Sequence, residues 1–204
     1  MNLPNKLTIV RMLMVPIFTF FIECNGVYNI TIALIVFILA AFTDLIDGKI
    51  ARKHKDITLL GIFLDPLADK LLISTALIYF LTMSSLCIPV WMIVMIISRD
   101  FLITGLRYTL ANKNIIIPAN KLGKLKTASQ VFGIIVIMLI LIINKLIIKV
   151  NNMMPIIFVL YNRYLLCSVV LIKLPLYIII IIILFTMLSG ITYVWKYREF
   201  FHEK

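Results

Sequence analysis

Long apolar runs broken by short polar stretches dominate the chain. Six runs stand out, at about 7–23, 27–46, 66–86, 89–110, 127–148 and 174–195. Each is close to the roughly 20 residues that a helix needs to cross about 30 Å of hydrocarbon. None alternates apolar and polar residues as barrel strands do, and hydrocarbon offers an open strand edge no hydrogen-bond partner. The pattern therefore predicts an all-α protein: a polytopic membrane bundle of six transmembrane helices, forming a single domain over residues 1–204.

Two segments need separate treatment. The stretch 149–173 holds Pro155, a partly apolar run and Arg163 near its middle. It reads either as an external amphipathic segment lying in the interface or as a seventh span, which would move the C-terminus to the other side. The interfacial reading is preferred. The N-terminus places Lys6 before an apolar run, as a signal peptide would. Arg11 interrupts that run and no small-x-small site follows, so a retained first helix is expected.

Composition narrows the class. Of 204 residues, 63% are hydrophobic and 14% charged, and mean hydropathy is +1.10. A soluble domain averages about 45–50% apolar and about 25% charged residues. A water-soluble enzyme and a disordered chain are both excluded. Lys and Arg number 20 against nine acidic residues, a net charge of +11. Such a balance can mark a nucleic-acid binder, but the topology explains it differently. With six spans, Lys6, the Lys49–Lys55 loop, the Lys113–Lys126 loop, Lys196, Arg198 and Lys204 share one side. The other side holds Lys145, Lys149, Arg163 and Lys173. The richer side is expected to be cytoplasmic, facing anionic headgroups or an anionic substrate, with no nucleic acid involved. Cys24, Cys87 and Cys167 lie in or beside apolar stretches without a CxxC spacing, and are expected to be buried small hydrophobes. His54 and His202 read as surface residues.

The carboxylates carry the chemistry. Asp44, Asp47, Asp65, Asp69 and Asp100 sit in or at the edge of apolar spans. A charged side chain at a helix centre costs about 2.5–3.5 kcal/mol on insertion scales, and like charges repel, so a cluster needs a compensating partner. Asp44 and Asp47 are three apart near the end of span 2, and Asp65 and Asp69 four apart at the start of span 3. Each pair falls on one helix face. Either pair alone reads as a solvated helix end. Together, across the 49–64 loop, they make an all-oxygen site for Mg²⁺ or Mn²⁺, with enough carboxylates for two ions. Two divalent ions suit a phosphoryl displacement, since they stabilise attacking and leaving oxygens together. Gly48, Gly61 and Ala51 would let a nucleotide or a helix approach closely, and Arg52 could neutralise a phosphate.

The combination Asp44-x2-Asp47-Gly48-x2-Ala51-Arg52, eight residues, Gly61-x3-Asp65-x3-Asp69 resembles the signature of the CDP-alcohol phosphatidyltransferases at all eight fixed positions. The flanks look like the bacterial phosphatidylglycerophosphate synthases: Asn2, Pro4, Asn5, Thr8 and Arg11 at the N-terminus, Lys70 after the last aspartate, and Gly123-Lys124-x-Lys126-Thr127-x2-Gln130 before span 5. The resemblance implies transfer of a phosphatidyl group from CDP-diacylglycerol to sn-glycerol 3-phosphate with release of CMP, by a homodimer in the cell membrane whose site faces the cytoplasm. It makes Asp44, Asp47 and Asp65 metal ligands, and Asp69 the general base with a possible share in the metal. It lines the CDP site with Gly48, Ala51, Arg52 and Gly61. Other acceptors, as in cardiolipin or phosphatidylserine synthases, remain alternatives, as does a small transporter with an acidic ion path.

The acceptor brings a dianion and needs cations. Lys124 and Lys126 match the family's basic element. Arg107, near the cytoplasmic end of span 4, is a further candidate. Arg99 serves either the acceptor phosphate or an ion pair with Asp100 that holds the bundle together.

Overall fold

The computed structural model describes residues 3–24, 26–54, 59–112, 121–153 and 165–196. Within these segments the side chains of 3–7, 44–54, 59–66, 69, 84, 108, 111–112, 121, 150–153, 165–172 and 196 lie outside the described set. Six α-helices and no strand occur among the described residues: α1 (Leu3–Glu23), α2 (Val27–His54), α3 (Leu59–Thr82), α4 (Val90–Asn112), α5 (Lys121–Met153) and α6 (Leu165–Lys196). Each expected span lies within, or nearly within, one of them.

The helices outrun the apolar runs. The expected 49–64 loop is reduced to residues 55–58, because α2 continues to His54 and α3 begins at Leu59. Lys49, Ala51, Arg52 and Lys53 are good helix formers, so the helix persists after hydropathy falls. The 149–173 stretch is divided in the same way: its first residues extend α5 to Met153, and α6 starts at Leu165. The intervening 154–164 lie outside the described residues. Pro175 lies inside α6, where it removes one backbone hydrogen bond.

Packing follows the apolar faces. α1 lies against α2 and α3, α5 against α2 and α6, and α4 against α6. The core they share is aliphatic and aromatic, with Phe18, Phe37, Phe80, Leu77, Ile137 and Ile182 all essentially inaccessible. Phe18 and Phe37 meet as a tilted ring pair at 5.8 Å. The Tyr79 hydroxyl of α3 donates to the Ile22 carbonyl of α1 at 2.6 Å. Between α3 and α4, a short 3-10 turn (Ser84–Leu86) leads into Cys87, which takes a positive φ of 48°. Cys24 and Cys87 are both exposed rather than buried. Each lies just past a helix end, where the apolar context of the sequence gives way to surface. The Cys167 side chain lies outside the described residues.

Among the described residues, two stretches are long and apolar enough to cross a membrane, Leu122–Lys149 and Lys173–Trp195; Val27–Thr43 and Lys70–Thr82 are shorter apolar stretches.

Gly133 sets the approach of α5 to α6. A Cβ there would stand 2.6 Å from Ile182 Cδ1 and 3.0 Å from Ile178 Cγ2. Gly133→Val is expected to destabilise the protein by about 2 kcal/mol through overpacking, read as a lower melting temperature in detergent. An unchanged melting temperature would contradict this contact.

Candidate functional site

Helix register places the acidic motif. Asp44, Asp47, Gly48, Ala51 and Arg52 are positions of the last three turns of α2, and Gly61, Asp65 and Asp69 of the first three turns of α3. Their side chains lie outside the described residues. What the backbone gives is proximity. The four residues 55–58 between His54 and Leu59 can bridge at most about 18 Å, and α2 and α3 touch. Spacings of three and four keep each carboxylate pair on one helix face. Among the described residues no group of three or more His, Cys, Asp or Glu converges. The donor set of the motif is wholly oxygen, which fits a hard divalent cation.

Beyond the motif, α4, α5 and α6 carry a polar cluster among the described residues. Asp100 of α4 is its centre. Its Oδ1 pairs with the Lys126 ammonium of α5 and accepts from Arg99 Nη1 at 3.2 Å. Its Oδ2 accepts from Gln130 Nε2 of α5 at 3.1 Å. Arg99 in turn donates from Nη2 to Ser189 Oγ of α6 at 2.8 Å. Gly190 makes that reach possible, since a Cβ there would meet Arg99 Nε at 3.1 Å and Cγ at 3.3 Å. The side chains are deeply withdrawn from solvent: 13% exposed for Arg99, 11% for Asp100 and 8% for Lys126. Charges so placed persist only when paired and hydrogen-bonded. Of the two expectations for Arg99, the ion pair with Asp100 is present.

A cavity of about 60 Å³ opens beside this cluster, lined by Lys70 and Ser74 of α3, Asp100 and Phe101 of α4, and Lys126 and Gln130 of α5. That volume admits a few waters or a small polar group, not a nucleotide. Lys70, which follows Asp69 in the chain, brings this wall next to the motif in sequence. Lys70 also lies 5.9 Å from the Phe101 ring centroid.

The remaining expected cations fall elsewhere. Lys124 is exposed. Arg107 is exposed as well and stacks over the Tyr193 ring of α6 at 5.5 Å. Thr8 and Arg11 of α1 are almost completely buried, each 1% exposed. Ser74, Gln130, Ser189 and Tyr193 were not singled out from sequence as site residues. One signal existed: Lys126 and Gln130, like Lys70 and Ser74, are polar pairs four apart on otherwise apolar helices.

Comparison with known proteins bears on what this arrangement serves. A family model described as CDP-alcohol phosphatidyltransferase matches residues 1–195. The CDP-diacylglycerol–glycerol-3-phosphate 3-phosphatidyltransferase of Bacillus subtilis is 42% identical, over 68% of this chain and 77% of the relative. A protein of the same name from Rickettsia typhi is 37% identical, over 68% and 76%. A probable phosphatidylglycerophosphate synthase of Mycobacterium tuberculosis is 38% identical, over 65% and 64%.

Proposed function

We propose, for a chain that belongs to the CDP-alcohol phosphatidyltransferase family, the activity its relatives are named for: transfer of the phosphatidyl group of CDP-diacylglycerol to sn-glycerol 3-phosphate, giving phosphatidylglycerophosphate and CMP. The observation that carries this reading is the cavity between α3, α4 and α5. There Lys70, the neighbour of the last motif aspartate, and Lys126, of the family's basic element, line one space whose remaining wall is partly apolar, with Ile73, Leu77, Ile96 and Ile97.

The chemistry divides among the chain's residues. A hydroxyl oxygen of the acceptor attacks the phosphorus that carries diacylglycerol. The bond from that phosphorus to the CMP phosphate breaks, and CMP leaves with the electron pair. The Asp69 carboxylate takes the hydroxyl proton. Asp44, Asp47 and Asp65, with a share from Asp69, would hold Mg²⁺ or Mn²⁺, one ion or two. The cation would draw charge from the pyrophosphate oxygens. Gly48, Ala51, Arg52 and Gly61 line the CDP site, where missing or short side chains admit the nucleotide and Arg52 faces its phosphates. Lys126 receives the acceptor phosphate, with Lys124 and Arg107 as exposed cations on its approach and Arg99 behind it. Catalysis is then positioning and charge stabilisation, with no covalent enzyme intermediate.

The same reading sets the protein in the cell membrane as six spans, working as a homodimer with the site at the cytoplasmic leaflet. Its support is physical. Residues 127–144, between Lys126 and Lys145, are uncharged over about 29 Å of helix. Residues 174–195, between Lys173 and Lys196, are uncharged over about 35 Å. Both match a hydrocarbon core of about 30 Å. Large apolar side chains face outward on other helices too, among them Leu13 and Phe20 of α1, Phe42 of α2, and Trp91 and Leu102 of α4. In water such a surface would aggregate; in lipid it costs nothing.

Label from glycerol 3-phosphate should pass into chloroform-soluble product in step with CMP release. Release of CMP without labelled lipid would sink the proposed acceptor. Lys126→Met is expected to raise the glycerol 3-phosphate KM by about tenfold, the worth of one charge-assisted contact, and to leave the CDP-diacylglycerol KM within twofold. Equal changes in both would remove Lys126 from the acceptor site.

A further inference from the structure

Asp100 poses a problem for an acceptor site. A carboxylate beside a cavity meant for a dianion should weaken binding. Yet three donors from two helices converge on it: the Lys126 ammonium, Gln130 Nε2 at 3.1 Å and Arg99 Nη1 at 3.2 Å. We infer that Asp100 is a positioning residue, which holds the Lys126 ammonium at the cavity wall so that the acceptor phosphate meets a cation already in place. This rests on the reading of Lys126 as the acceptor's cation.

The sign follows from burial. With its side chain 8% exposed, Lys126 needs a counter-charge when the site is empty. Without Asp100 the ammonium would lose the buried carboxylate oxygen that it shares with the Arg99 guanidinium, and the repulsion between the two cations would go unscreened at that point. A lysine so placed either swings its long stem out towards water or gives up its proton. Both outcomes remove the cation from the wall. That loss outweighs the relief of one repulsion, because a phosphate gains little from a cation it must first gather and order. Gln130 supports the same geometry. It lies four residues after Lys126 on one face of α5, and fixes Oδ2 while Oδ1 takes the lysine. Arg99 ties the assembly to α6 through Ser189.

Steady-state kinetics of the purified full chain in detergent micelles, with CDP-diacylglycerol and glycerol 3-phosphate, tests this by a double-mutant cycle. Asp100→Asn should raise the glycerol 3-phosphate KM by about tenfold, with the CDP-diacylglycerol KM within twofold. Asp100→Glu should recover part of the loss. In the Lys126→Met background the Asp100→Asn change should cost almost nothing further, because the group it positions is gone. Full additivity of the two changes would overturn the inference, as would a lowered acceptor KM in Asp100→Asn. If Asp100→Asn does not fold, Gln130→Leu carries the test: an acceptor KM raised two- to threefold supports the inference, and an unchanged one contradicts it. Failure of the underlying reading looks different. The wild-type protein would then release CMP only with another acceptor, and the same cycle run with that acceptor would judge Asp100 on its own.

Discussion

Asp69→Asn is expected to lower CMP release by about a thousandfold, within the range that a general base contributes. Asparagine keeps the size and one oxygen of the side chain but cannot take a proton from the attacking hydroxyl. CDP-diacylglycerol binding should be nearly unchanged, because Arg52, the residue proposed to neutralise its phosphates, remains. The check is a single-turnover rate beside a binding isotherm for CDP-diacylglycerol. Turnover near the wild-type rate would take the base role from Asp69. A loss of binding equal to the loss of rate would instead make it chiefly a metal ligand.

The second large effect lies on the other helix. Asp44→Asn is expected to raise the Mg²⁺ concentration for half-maximal activity by about tenfold or more, and to reduce the rate that remains at saturating Mg²⁺. An amide is a neutral and weaker ligand for a hard cation than a carboxylate. A Mg²⁺ titration of wild type and variant makes the comparison directly. Superimposable titration curves would contradict ligation by Asp44. Asp47 and Asp65 should behave alike, since each pair presents two carboxylates from one helix face.

Much of the fold was legible in the hydropathy. Six apolar runs correspond to the six helices among the described residues. The ends were less legible. Hydropathy follows where lipid stops, whereas a helix continues as long as its residues tolerate it. Hence α2 runs on through Lys49, Arg52 and Lys53 to His54, and α6 begins at Leu165 rather than at 174. All eight motif positions, assigned from sequence to the span ends and the loop between them, lie in helices, with Ala51, Arg52 and Gly61 in a terminal turn, and helical register is what gives the carboxylate spacings their meaning.

The acidic motif was legible because charge in an apolar run is rare. Asp100 and Arg99 stood out for the same reason. The Ser189 partner of Arg99 did not. Ser189 is 90 residues from Arg99 along the chain, and a serine or glutamine inside a span gives no comparable signal, since either is cheap to bury once hydrogen-bonded. Nor could sequence show that Arg107 lies over Tyr193, a contact made only when α4 packs on α6. Lys126 is the instructive case. The family element marked it as basic and near the site, and only packing shows that it is buried and held by a carboxylate.

The central claim is the reaction itself, and CMP release tests it most directly. Protein in detergent micelles would receive CDP-diacylglycerol and Mg²⁺, with glycerol 3-phosphate, phosphatidylglycerol, serine or inositol supplied one at a time. The account predicts CMP with glycerol 3-phosphate alone, and none once EDTA is present. Release with a different acceptor, or release that survives EDTA, would contradict it.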